Sequence, residues 1–146
     1  MKYFKCGKCQ TPFKVDETKI KSPIVSIVCA SCNTKNTLKF GAFILVQNKE
    51  GNIEVPIKKG EVILGRKSTN NLENYLYIND KFVSRKHALI EVKELNGKVS
   101  ISMKDLESTN GTFDKSKTKL KPGIPVGFSK EDYFIVGLSK VSLKIY

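Results

Sequence analysis

The sequence has no long hydrophobic run. Its apolar stretches end after about five or six residues, as at 42–46, where a helix crossing a bilayer needs about 20. Insertion of a helix into a membrane is therefore not expected. The opening residues Met1-Lys2-Tyr3-Phe4-Lys5-Cys6 lack the apolar core, roughly 7–15 residues long, of a secretory signal, so the expected compartment is the cytoplasm. No window sustains the i, i+3, i+4, i+7 apolar spacing of an amphipathic helix, and there is no internal repeat or low-complexity tract. No block of five or six basic residues occurs, and aromatics do not interleave with lysines as a nucleic-acid stacking platform requires. There is one histidine, His87, and no paired-carboxylate motif. Ser84 and His87 lack the nucleophile-elbow sequence of a catalytic serine, so no enzyme is expected. Cysteine is absent after Cys32.

What is present bounds the fold. Hydrophobic residues make up 40% of the 146, enough to fill a core and to exclude wholesale disorder. The net charge of +12 favours anionic partners without naming one. Residues 1–41 hold 8 lysines and 2 acidic residues, and residues 42–146 hold 18 basic and 12 acidic ones, a net +6 in each part. After Gly41 the sequence becomes strand-like. Short β-forming runs at 42–46, 53–57, 62–65, 75–78, 87–92, 99–103, 133–136 and 141–145 are separated by polar or glycine-bearing turns. Val99, Ile101 and Met103, and again Val141, Leu143 and Ile145, alternate with polar residues and are expected on one face of a strand. The segments 48–51 and 72–75 read as loops. Many short strands with frequent turns predict an all-β sandwich or barrel.

All four cysteines fall in the first segment, as Cys6-Gly-Lys-Cys9 and Cys29-Ala-Ser-Cys32. Two Cys-x-x-Cys turns can offer four thiolates to one tetrahedral Zn²⁺ at about 2.3 Å, leaving no position for water or substrate. Such a closed site is structural. It replaces the core that a segment below about 40 residues cannot build. Lys5, Lys8 and Lys35 would offset part of its double negative charge. Two disulfides, a redox dithiol and an iron–sulfur site are the alternatives. A reducing compartment disfavours the first and the missing βαβ pattern the second. The stretch resembles the short bacterial zinc ribbons that head larger proteins. That resemblance implies an apolar pair, here Phe13 and Val15, packed under the metal.

Three polar segments lie between the later strands: Leu64-Gly65-Arg66, then Val83-Ser84-Arg85-Lys86-His87-Ala88, then 105–112 with Ser108-Thr109-Asn110-Gly111. Together they supply guanidinium, hydroxyl and amide groups, which suit a phosphate dianion. Ser108 to Gly111 also reads as a hairpin turn, since Asn-Gly is a turn signal in itself. Gly-Arg, Ser-x-x-His and Ser/Thr-x-Asn-Gly in this order resemble the forkhead-associated (FHA) domain, from about residue 43 to 146. The resemblance implies an eleven-stranded β-sandwich that binds phosphothreonine peptides through loops at one end. It implies that Arg66 and Ser84 contact phosphate oxygens, that Arg85 and Thr109 support the phosphate or peptide, and that Asn110 bonds the peptide main chain. His87 would brace the loops, with Gly65 and Gly111 as backbone positions. The chain departs from the family pattern at 67–75, which is asparagine-rich, and at Phe113-Asp114-Lys115, and both segments bear on peptide preference. The expected organisation is a zinc ribbon at 1–40 and an FHA sandwich at 41–146. The expected function is a non-enzymatic, phosphothreonine-dependent adaptor in Ser/Thr-kinase signalling. The alternative is a nucleic-acid-binding protein that uses the basic ribbon, with the sandwich as scaffold.

Overall fold

The computed structural model describes residues 1–66 and 74–146; residues 67–73 of the asparagine-rich segment, and with them the first half of the 72–75 loop, lie outside them. Two compact units are found, Met1–Ala42 with Ile145–Tyr146, and Phe43–Lys144.

The first unit is two short hairpins. β1 (Lys2–Lys5) pairs antiparallel with β2 (Pro12–Val15), and β3 (Ile24–Val28) with β4 (Lys35–Lys39). Between them a 3-10 turn, Glu17–Lys19, is capped by the Asp16 carboxylate, which accepts from the Thr18 amide. Each strand alternates. Phe4, Phe13, Val15, Val25, Ile27 and Leu38 are half-buried or buried, while Tyr3, Lys5, Lys14, Ile24 and Val28 are exposed. Phe4 stacks on Phe13 and meets the edge of Phe40, each at 5.8 Å between ring centres. The sequence reading found little apolar periodicity in this segment. Strands of four or five residues give only two inward positions each, too few to stand out against interleaved lysines.

The second unit is a sandwich of two five-stranded sheets. One has the order β12-β10-β9-β7-β8, built from β7 (Gly60–Arg66), β8 (Tyr75–Ile78), β9 (Ala88–Leu95), β10 (Lys98–Asp105) and β12 (Val126–Gly127). The other has the order β11-β13-β14-β5-β6, from β5 (Ala42–Asn48), β6 (Gly51–Pro56), β11 (Thr112–Asp114), β13 (Tyr133–Val136) and β14 (Ser139–Ile145). These are ten strands among the described residues, where the resemblance implied eleven. β7 runs antiparallel to β9 and parallel to β8. Inward positions of both sheets, among them Ile44, Leu64, Ile90, Met103, Phe134 and Val141, are almost wholly buried. Phe128 meets Phe134 edge-on at 4.9 Å.

Two expectations about faces hold only in part. Met103 and Val141 are fully buried, but Val99 is 62% and Ile145 60% exposed. The β9–β10 hairpin turns at Asn96 and Gly97, both in the left-handed region. It outruns the core, so Val99 lies opposite Glu94 rather than under an apolar neighbour. Ile145 ends β14 beyond the buried Val141.

Candidate functional site

The four cysteine sulfurs lie within 4.8 Å of one another. Cys6 and Cys32 are 3.6 Å apart, as are Cys9 and Cys29, close to the edge of about 3.8 Å that a tetrahedron with metal–sulfur bonds of about 2.3 Å requires. The donor set fits a thiophilic ion. The two turns match one another in backbone hydrogen bonds and conformation. The Cys6 amide donates to the Thr11 carbonyl and the Cys29 amide to that of Thr34, at 3.0 and 2.9 Å. Gln10 and Asn33 hold matching left-handed conformations, φ 63° and 61°. Each second cysteine lies against its threonine hydroxyl, Cys9 on Thr11 at 3.0 Å and Cys32 on Thr34 at 3.1 Å. The repeated unit, Cys-x-x-Cys-(Gln/Asn)-Thr, is only six residues long. Backbone donors from Cys9 and then Lys8, with the Asn36 amide, bring the Cys6 thiol down to about 6 from its usual 9.0. The hydroxyl and then the amide of Thr11 lower that of Cys9. These donors stabilise the thiolates of Cys6 and Cys9, the form a metal binds. At Cys32 the Thr34 hydroxyl and amide are outweighed by burial and by the Cys9 and Cys6 sulfurs, which raise its thiol pKa. Asn36 also ties the two turns together, accepting from the Gly7 amide at 3.0 Å.

In the sandwich, the three phosphate-type segments meet at one end because strand register brings them there. Ala88 lies opposite both Leu64 and Asp105, so the end of β7, the start of β9 and the end of β10 are neighbours. Arg66, Ser84, Arg85, Thr109 and Asn110 line one open depression of about 410 Å³, together with Lys81, Phe82 and Val83. All five contact residues named from the sequence are therefore brought together. Among the described residues their lining includes no carboxylate. Arg66 and Arg85 are the only arginines among the chain's 26 basic residues, and both stand here.

Hydrogen bonds fix these groups. The Arg66 amide donates to the Ser84 carbonyl at 3.0 Å, and the Thr109 amide to the Ser84 hydroxyl oxygen at 3.0 Å, which leaves the hydroxyl hydrogen to donate elsewhere. The Asn110 side-chain amide donates to the Phe82 carbonyl at 2.9 Å. His87 is fully buried. It accepts from the Ser84 amide at Nδ1 (3.0 Å) and reaches the Gly111 carbonyl from Nε2 (2.8 Å), a pairing that requires the neutral ring with its proton on Nε2. Burial lowers its pKa from the ordinary 6.5, against smaller opposing effects of Gly111, Asp105 and Asp80.

Gly65 passes so close to the next loop that a Cβ there would collide with the Arg85 carbonyl and the Tyr75 hydroxyl. Gly111 adopts φ +81°, and the 108–111 tip is not a hairpin. It carries the chain from β10 in one sheet to β11 in the other. Two aspartates that the sequence reading passed over support these loops. Buried Asp105 accepts from the Ser108 amide and hydroxyl and from the Thr112 hydroxyl. Asp80 accepts from the amides of Phe82 and Leu138 and the Ser139 hydroxyl. Tyr75 was also missed; its buried hydroxyl has no partner among the described residues.

A family model for the FHA domain matches residues 62–137, more than half of the chain. The chain belongs to the FHA family. Solved structures superpose on it at low sequence identity. The FHA domain of the CT664 protein from Chlamydia trachomatis is 21% identical, with a TM-score of 0.58 over 73% of this chain and 98% of that one. The Slr1951 protein from Synechocystis sp. is 19% identical, with a TM-score of 0.61 over 72% of this chain and 98% of that one. A structure from a study of phosphothreonine-dependent FHA domain interactions is 21% identical, with a TM-score of 0.55 over 73% and 97%. No curated protein sequence matches the chain. Among the described residues no helix is long and apolar enough to cross a membrane. In the FHA unit a second depression adjoins the first through Lys81 and Phe82 and includes Asn48, Lys49 and Leu138.

Proposed function

We propose that the FHA unit binds a phosphothreonine-bearing segment of a partner protein, as a non-enzymatic adaptor in the cytoplasm, and that the ribbon at 1–40 holds one structural zinc ion. The observation that carries the first part is the convergence of both arginines with Ser84 and Asn110 on a depression that no carboxylate lines among the described residues. A phosphorylated side chain brings nearly two negative charges and three acceptor oxygens. Arg66 and Ser84 take phosphate oxygens, Arg85 and Thr109 support phosphate or peptide, and Asn110, anchored on Phe82, reaches the peptide main chain through its remaining polar positions. Val83, the buried apolar residue of the lining, offers a seat for the threonine methyl, which favours phosphothreonine over phosphoserine. A phosphopeptide library probed with the whole chain tests this. Phosphothreonine peptides should be retained above their phosphoserine and unphosphorylated counterparts. Equal retention of all three would refute it.

For the ribbon, the support is the convergence of the Cys6, Cys9, Cys29 and Cys32 sulfurs within 4.8 Å and the donors aimed at those of Cys6 and Cys9. The zinc would close the two turns on each other and has no further chemistry, all four positions being protein ligands. One observation favours a second role. Strand pairing sets exposed Tyr3 opposite Lys14 and on the same face as Lys5, an aromatic between cations that the linear sequence conceals. A ribbon that contacts nucleic acid through this face would bind with steep salt dependence and without regard to phosphothreonine.

A further inference from the structure

We propose that Lys119 reads a second negative group beside the phosphothreonine, so that the preferred ligand carries an acidic side chain or a second phosphate close to the first. This rests on the phosphothreonine reading above and adds a residue that none of the three motifs contains.

Lys119 follows the turn after β11, and an isolated bridge places it opposite Phe113. Its stem does not stay there. It lies along Gly111, where a Cβ would come within 2.7 Å of the Lys119 Cε. Gly111 is two residues nearer the Thr109–Asn110 tip than Phe113, so the side chain runs toward the binding loops. The backbone behind it is held: the Leu120 amide donates to the Thr112 carbonyl at 2.8 Å, and Leu120 is buried. Lys119 is exposed, and no carboxylate lies within salt-bridge distance of it among the described residues. Its neighbour Lys115 differs, being held by Asp132 at 3.5 Å and the Glu131 carbonyl. The bare glycine is what lets the aliphatic stem pass so close to the backbone.

The charge balance gives this position a purpose. Arg66, Lys81 and Arg85 line the depression, already matching or exceeding the charge of about −1.5 to −2 on one phosphothreonine. A fourth cation whose stem lies along Gly111, the residue after Asn110 of the lining, adds positive charge that a singly phosphorylated neutral peptide does not compensate. Glu107 is the acidic residue of the same loop, and it is exposed in a left-handed conformation outside the lining.

The test is a set of anisotropy titrations with the whole chain. The peptides are one phosphothreonine peptide with neutral flanks, versions with aspartate placed singly at each flanking position, and versions with a second phosphothreonine there. Aspartate or phosphate at one position should tighten binding about 3- to 10-fold over the neutral peptide, as for a partly exposed charge pair. The two arms separate carboxylate from phosphate as the source. In Lys119→Ala the acidic-to-neutral ratio should fall to about 1. In Lys98→Ala, which removes an equal charge on the β9–β10 hairpin, it should persist. An unchanged ratio in Lys119→Ala, a loss in both variants, or no gain at any position overturns the proposal while leaving phosphothreonine binding intact. Failure of the neutral phosphopeptide to bind better than its unphosphorylated form overturns the parent reading instead.

Discussion

His87 spends both ring nitrogens on the backbone of two loops, those carrying Ser84 and Gly111. Truncation to alanine would strand a buried donor and a buried acceptor and open a cavity. His87→Ala should therefore cost about 2–4 kcal/mol in urea denaturation. The same burial gives a pH signature. Because burial holds the folded-state pKa of His87 below 6.5, the unfolded chain binds the extra proton first as pH falls. Stability contributed at neutral pH is then lost progressively below about 6.5 until the folded pKa is passed. In His87→Gln this component of the pH dependence should disappear; an unchanged profile between pH 7 and 5 would contradict the neutral bracing role. Asp105 is the counterpart on the third loop. Asp105→Ala leaves the Ser108 and Thr112 donors without their acceptor, and it should both lower the melting temperature and weaken phosphopeptide binding.

At the scale of elements, the site depends on how closely β7 approaches the loop before β9. In Gly65→Ala the new methyl meets backbone, the Arg85 carbonyl, rather than a flexible side-chain end. Either strand or loop must shift, at a cost of about 1–3 kcal/mol, and the shift falls between Arg66 and Arg85. Phosphopeptide titration and thermal melting on Gly65→Ala should both register it. A variant with wild-type affinity would show that the approach is not needed for binding. Much of this architecture was legible in the letters. β8 and β13 fall on the expected ranges 75–78 and 133–136, since both are apolar runs between polar turns. β11, only three residues long, and β12, only two, carry no periodicity to read. Asp80 and Asp105 look like ordinary loop or strand-end residues until the fold shows what they accept. The crossover at Asn110-Gly111 was hidden because Asn-Gly signals a turn without saying which sheets it joins. One available signal was overlooked: in a chain rich in lysine, the two arginines sit in two of the three motifs that meet at the depression.

Across the whole molecule, the two units hold themselves together by different means. The sandwich has a continuous buried core, whereas the first unit has only the packed rings of Phe4, Phe13 and Phe40 and a cluster of four cysteines. If zinc closes the ribbon as proposed, metal analysis should give one ion per chain. A strong chelator should then expose four reactive thiols and abolish amide protection in β1 to β4, while the protection in β5 to β14 persists. Unchanged ribbon protection after metal removal would contradict a metal-dependent fold. Both units carry net positive charge, which leaves the choice of anionic partner to the sites rather than to the net charge.

The central claim, that Arg66 is the main grip on a phosphate, is tested most directly by titrating one phosphothreonine peptide into the wild-type chain and Arg66→Ala. Truncating one half of a desolvated charge pair should weaken binding by about 2–5 kcal/mol, with the fold unchanged by circular dichroism. An Arg66→Ala chain that binds the phosphopeptide as tightly as wild type would contradict the account.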